Sequence, residues 1–260
     1  MLDTALALLA GLVLLVLYSP IIISALFSVV EVNGGIIDWS SATLRFYAEL
    51  WQNESILSAI RATVLVGVLS VTLAALLAVV LAFYVEWRHA LAPRLVELIV
   101  YIPFLVPPII TGLSLLIFFV DVGVERSVLT IAIGHTVLVL AVLFRLTLTR
   151  LQSIPPSLAE ASADLGANAW QTFRLVMWPQ LRPAVLTGAI LALTVSFDET
   201  LVSLFVAGDT MTLPLRLWAM MRVGFSPEVN ALVTIILAFS IVLAIIIALR
   251  MRPNTERHDQ

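Results

Sequence analysis

Residues 62–85 read ATVLVGVLSVTLAALLAVVLAFYV, a stretch without a single charged side chain. Coiled as an α-helix it is about 36 Å long, enough to cross about 30 Å of hydrocarbon. Runs of the same kind flank it on both sides. The sequence places six spans at roughly 5–30, 59–85, 95–120, 128–149, 184–206 and 228–250. Of the 260 residues, 61% are hydrophobic and 12% charged, whereas a soluble domain carries about 25% charge. The expected fold is therefore all-α: a polytopic membrane protein of about six transmembrane helices in one domain, residues 1–260.

Composition excludes several chemistries. There is no cysteine, hence no disulfide, thiolate metal site or Cys nucleophile. All basic residues are arginine. A phosphate-cradling P-loop needs its lysine, and so does a Schiff base. Any ATP used by this protein must be hydrolysed on another chain. The net charge of −3 gives no basic surface for nucleic acid. The first run, Ala5 to Val30, has no basic flank and is too long for a signal-peptide core, so it reads as an uncleaved span.

Arginine placement orients the spans. Arg88, Arg94, Arg145, Arg150, Arg174, Arg182, Arg250, Arg252 and Arg257 fall on one side. The other side holds Arg45, Arg61, Arg126, Arg216 and Arg222. The positive-inside rule puts both termini in the cytoplasm. The first outer loop, about 31–58, carries Trp39, Phe46, Tyr47 and Trp51, residue types suited to a membrane interface.

The inner segment 150–183 is too long for a connector. Pro155-Pro156 opens a short helix, Gly166 suits a left-handed turn after it, and Asn168 can cap a second helix. Trp170, Phe173, Leu175, Val176 and Met177 belong to that second helix, and Pro179 is expected to end it. The pair forms a helix–turn–helix on the cytoplasmic surface with apolar side chains to offer a partner. Pro20 in the first span and Pro103, Pro107 and Pro108 in the third predict kinks, read equally as bundle packing or as a bent, path-lining helix.

Asp198 and Glu199 lie near the middle of the fifth run. A charge at bilayer depth costs at least about 2.5 kcal/mol and needs a polar cavity or a partner. On a helix the two would point about 100° apart, so at most one of them faces any pathway squarely. The alternative is a structural pair with an arginine or with the hydroxyls of Thr200 or Ser203. His135 in the fourth run reads as a hydrogen-bonded packing residue more readily than as a proton relay. Ser226-Pro227-Glu228 reads as the capped start of the sixth helix.

Glu160-Ala161-Ser162, then Gly166, then Val176-Met177-Trp178-Pro179 resembles the E-A-A loop of ABC importer permeases. Ser162 stands for the second Ala, Val176 for Ile and Trp178 for Leu, with the spacing intact. Tyr18 to Ile23, Ser196 to Glu199 and Ser226 to Ala231 extend the resemblance to polyamine-importer permeases over nearly the whole chain. The resemblance implies a type I importer permease fold in a bacterial inner membrane. It implies a second homologous permease and two ATPase subunits, which bind ATP and Mg and dock on Glu160, Ala161, Asp164 and Gly166. It further implies a periplasmic or lipoprotein substrate-binding protein, and no cofactor on this chain. By the same resemblance Asp198 and Glu199 contact a cationic substrate. Pro108 and Phe46 stand where the resemblance implies Asp and Trp, so other amines, opines or amino-acid derivatives remain candidates.

Two other classes compete. An ion-gradient-driven secondary transporter or channel usually shows internal repeats with broken helices in both halves, and no clear repeat is visible. An intramembrane enzyme could join His135 to Asp198 or Glu199, but no His-x-x-x-His or Gly-x-Ser-x-Gly pattern supports it.

Overall fold

A computed structural model describes residues 2–33, 36–86, 90–223 and 227–250. Arg88, Ser226, Arg252 and Arg257, used above for orientation and capping, lie outside the described residues. The chain divides into two compact units, residues 1–57 with 217–260 and residues 58–216.

The first unit holds α1 (Leu2–Phe27), which continues through Pro20, and α12 (Pro227–Arg250). The two are joined by a Ser24 to Asn230 hydrogen bond of 3.2 Å. Between them in sequence lies a two-stranded hairpin, β1 (Glu31–Asn33) and β2 (Ile36–Asp38), which the all-helical reading did not include. Asp38 then accepts the Ser40 N–H at 3.0 Å. Its hydrogen bonds to the Ser40 side chain and N–H hold its carboxyl below the usual range. Amphipathic α2 (Arg45–Gln52) buries Phe46 and Leu50 and leaves Trp51 exposed.

The second unit carries the core. It contains α3 (Glu54–Val85) from Ser58 onward, α4 (Pro93–Leu105), α5 (Pro108–Asp121) and α6 (Val128–Gln152). It continues with α7 (Pro156–Asp164), α8 (Ala169–Thr172), α9 (Trp178–Asp198) and α10 (Leu201–Val206). The start of α11 (Leu213–Val223) closes it. On α3 a stripe at helical spacing, Val71, Ala74, Ala78 and Ala82, is buried together with Val139, Leu143, Phe144 and Leu148 of α6 and with Leu181 and Ala192 of α9. Small residues let helices approach closely where lipid, being as apolar as leucine, supplies no net hydrophobic drive.

Four single helices are long and apolar enough to span: Leu6–Phe27, Glu54–Val85, Val128–Gln152 and Ala169–Asp198. The α4–α5 pair makes a fifth if it counts as one span, and α12 is 24 residues long. The expectation of about six is met, but two spans are not simple helices. α4 and α5 meet at 107°, far more than a kink. Pro107 and Pro108 each force the residue before them out of the α region. Val106 and Pro107 accordingly sit at ψ 138° and 133°, and two successive extended residues separate the helices.

The fifth span departs further from expectation. Pro179 does not end a surface helix. From Ala169 the chain stays helical to Asp198, through a wide π turn over Phe173–Met177 in which the Trp178 N–H reaches the Phe173 carbonyl. The π turn shifts the hydrogen-bond register, so Pro179 falls in the first turn of α9, where no N–H is required. The helix then stops at Asp198.

Close packing holds α10 in place. A Cβ on Gly112 of α5 would lie 3.0 Å from Val202 Cα and 3.2 Å from the Leu201 carbonyl oxygen. Gly112→Ala gains about 1 kcal/mol of helix propensity but meets backbone that no rotamer change can move, and overpacking costs about 1–3 kcal/mol. We expect Gly112→Val, with two further methyls, to lower the temperature at which the detergent-solubilised protein loses its size-exclusion peak, with Gly112→Ala between it and wild type. Unchanged melting in both variants would mean that α5 and α10 are not held this tightly.

Candidate functional site

Two places in the second unit gather the singled-out residues. The first is the loop over residues 150–183. α7 ends in a Schellman motif: the Gly166 N–H donates to the Ala163 carbonyl at 2.8 Å and the Ala167 N–H to the Ser162 carbonyl at 3.0 Å. Gly166 has φ +81°, the left-handed region that favours glycine. Asn168 then caps α8, accepting the Gln171 N–H at 2.9 Å, while Gln171 Oε1 accepts the Asn168 N–H at 2.8 Å. The turn is locked from inside by Ser162, whose hydroxyl meets that of Thr172 at 2.7 Å.

Ser162 is the buried residue of α7, whereas Glu160, Ala161, Asp164 and Gly166 are exposed. Leu165, 89% exposed, and Trp170 stand out beside them. Among the described residues neither Glu160 nor Asp164 has an ion-pair partner. The loop is thus tied from within and offers carboxylates and large apolar side chains outward. At its far end Arg150 of α6 donates to the Gln180 carbonyl at 2.9 Å.

The second place is the break after α9. Asp198 and Glu199 are not side by side within a continuous helix, as the sequence reading had them. Asp198 is the last residue of α9, and Glu199 is extended at φ −74°, ψ 109°. The helix breaks because Glu199 turns its carboxylate forward to accept the Val202 N–H at 2.9 Å, satisfying a donor left over at the start of α10. Glu199 therefore has a local structural task. The Asp198 side chain is exposed and makes no hydrogen bond or ion pair among the described residues.

Beneath the break lies a buried polar network. His135, 2% exposed, places Nδ1 2.8 Å from Ser196 Oγ and Nε2 2.9 Å from Ser203 Oγ. Ser196 also meets Ser70 Oγ of α3 at 3.2 Å. Thr136 Oγ1 lies 3.3 Å from the Ser70 carbonyl. His135 is a hydrogen-bonded packing residue, as expected. Ser203 serves the imidazole and not a carboxylate. Ser70 was missed, and Ser196 entered only as part of the resemblance; the signal of each was a hydroxyl within an otherwise apolar run.

Residues 70–257 match the family described as binding-protein-dependent transport system inner membrane component. The chain is 32% identical over 241 residues to the spermidine/putrescine transport system permease protein PotC of Escherichia coli (strain K12), covering 92% of this chain and 91% of that one. It is 31% identical over 232 residues to the putrescine transport system permease protein PotI of the same strain, covering 85% and 81%. In fold it is similar to the crystal structure of a bacterial ABC transporter involved in the import of the acidic polysaccharide alginate, with TM-score 0.73, 17% identity and 96% of each chain covered. The chain belongs to the binding-protein-dependent transport system inner membrane components, as a permease subunit of an ABC importer.

Proposed function

We propose that this permease carries a small cationic amine of the polyamine class into the cytoplasm. It would work beside a second homologous permease, two ATPase subunits that bind ATP and Mg, and a periplasmic or lipoprotein binding protein. Both termini would lie in the cytoplasm, where the arginine-rich loops are.

The observation that carries the reading is the division of labour at the break after α9. Glu199 caps α10, while Asp198 stays unpaired at the carboxyl end of α9. That end concentrates negative partial charge, since the last carbonyls of a helix lack intrahelical donors. A free carboxylate beside it is a stopping point for an ammonium group. The names of the two Escherichia coli relatives, spermidine/putrescine and putrescine permeases, agree in charge with such a site. At the other end, the exposed face of Glu160, Ala161, Asp164 and Gly166 would seat an ATPase subunit. Nucleotide-driven closure of the ATPase pair would then be passed through α7 and α8 to α9, which is continuous with α8.

Reconstitution tests this. The chain has no lysine and hence no P-loop, so the purified subunit alone should hydrolyse no ATP. The full complex in proteoliposomes should take up labelled putrescine or spermidine only with internal ATP and the binding protein. Uptake by a homo-oligomer lacking an ATPase would refute the reading. Uptake of a neutral or anionic solute in preference to both amines would refute the substrate class.

A further inference from the structure

We infer that His135 is a positioning residue, a staple across the broken fifth span that fixes the direction of Asp198; this rests on the reading of Asp198 as the amine contact. The geometry points to it from both sides of the break. Ser196, held by Nδ1 at 2.8 Å, is on α9 two residues before Asp198. Ser203, held by Nε2 at 2.9 Å, is on α10 four residues after Glu199. Only Glu199, which is extended, and Thr200, which is already in the right-handed helical region, lie between the two helices.

One rigid ring therefore sets how the end of α9 meets the start of α10. The staple is itself anchored. His135 sits on α6, and Ser196 also reaches Ser70 on α3, so the end of α9 is referred to two continuous helices. Ser203 Oγ lies 3.3 Å from the Glu199 carbonyl, which brings the Glu199–Thr200 peptide of the break into the same network. Whichever ring nitrogen carries the proton, every hydroxyl of the set retains a partner.

The position is also selective for a side chain with two polar ends. A serine pair alone does not bridge the break: nothing among the described hydrogen bonds joins Ser196 to Ser203 directly. Among the described hydrogen bonds, an apolar residue at 135 would leave the break held by Glu199 and by the Thr200 hydroxyl, which donates to the Asp198 carbonyl at 3.3 Å, together with packing. Folding should survive, because Ser196 keeps Ser70, Ser203 keeps the Glu199 carbonyl, and Thr130 Oγ1 still lies 2.8 Å from the Val206 carbonyl. What is lost is the angle at which Asp198 is presented.

The test uses the full complex in proteoliposomes, with putrescine as the probe. His135→Leu should raise KM for putrescine uptake about tenfold, a change of about 1.4 kcal/mol, with substrate-free ATP hydrolysis and complex yield unchanged. His135→Gln, which keeps a donor and an acceptor, should recover most of the affinity. In an Asp198→Asn background His135→Leu should add little, since the carboxylate it orients is gone. Spin labels at Thr194→Cys and Leu204→Cys, unambiguous in a chain without cysteine, should give a narrow distance distribution in wild type and a broad one in His135→Leu. A narrow distribution in both, or additive losses in the double variant, would overturn the staple. If Asp198→Asn transports normally while the distances still broaden, the staple stands and the amine-contact reading fails instead.

Discussion

Gly166→Val should uncouple the transporter, cutting both substrate-stimulated ATP hydrolysis and uptake at least about tenfold while the subunit still reaches the membrane. The cause is conformational and not steric. A Cβ at residue 166 would meet nothing within 4 Å, yet φ is +81°. A β-branched residue there carries strain of about 1–3 kcal/mol, and 1.4 kcal/mol is tenfold in an equilibrium. The chain relieves it by opening the turn, which breaks the hydrogen bonds donated by the Gly166 and Ala167 N–H groups and releases the lock between Ser162 and Thr172. Gly166→Asn should be milder, because asparagine tolerates the left-handed region. Glu160→Lys should reach the same outcome differently: the carboxylate is exposed and has no ion-pair partner among the described residues, so reversing it would disturb a docked partner and leave the loop intact. The measurement is ATP hydrolysis and uptake by reconstituted complexes at matched subunit levels. Full coupling in both Gly166→Val and Glu160→Lys would mean that this loop does not transmit the ATPase stroke.

That the loop was legible in the sequence follows from its chemistry. Each of its instructions is local: proline at the start of α7, glycine where φ must be positive, asparagine three residues before a glutamine. The spans were legible for a similar reason, since an apolar run of 20 or so residues has few alternatives. What failed was the reading of breakers. Pro179 looks like a stop but is a first-turn proline, because a π turn upstream shifts the register. No proline or glycine marks the break at Glu199. It arises from a side chain choosing between water and a backbone N–H three residues on, and the local pattern of a carboxylate followed by a short apolar segment is common. The His135 network depends on four helices, α3, α6, α9 and α10, spread over more than half the chain, so only the fold brings it together.

Asp198→Asn should lower amine uptake at sub-saturating substrate by about ten- to a hundredfold, while complex assembly and substrate-free ATP hydrolysis stay at wild-type level. A hydrogen bond to a charged partner contributes about 1.5–3 kcal/mol, and each 1.4 kcal/mol is about tenfold. The amide keeps the volume and removes the charge, so a loss confined to KM isolates the electrostatic contact. Glu199 supplies the internal control. Glu199→Gln retains an oxygen able to accept the Val202 N–H, so the α10 cap survives and transport should change little. Glu199→Leu removes the cap, worth about 1 kcal/mol, and should reduce the yield of folded complex more than the affinity of what remains. The two adjacent carboxylates are thus separable: one variant loses substrate, the other loses fold. Initial rates across a range of putrescine concentrations, together with the size-exclusion yield of each complex, distinguish them. If Asp198→Asn transported normally and Glu199→Gln did not, the assignments at the break would be reversed. If Asp198→Asn failed to assemble, its carboxylate would be a buried structural partner in the complex and not a contact for the amine.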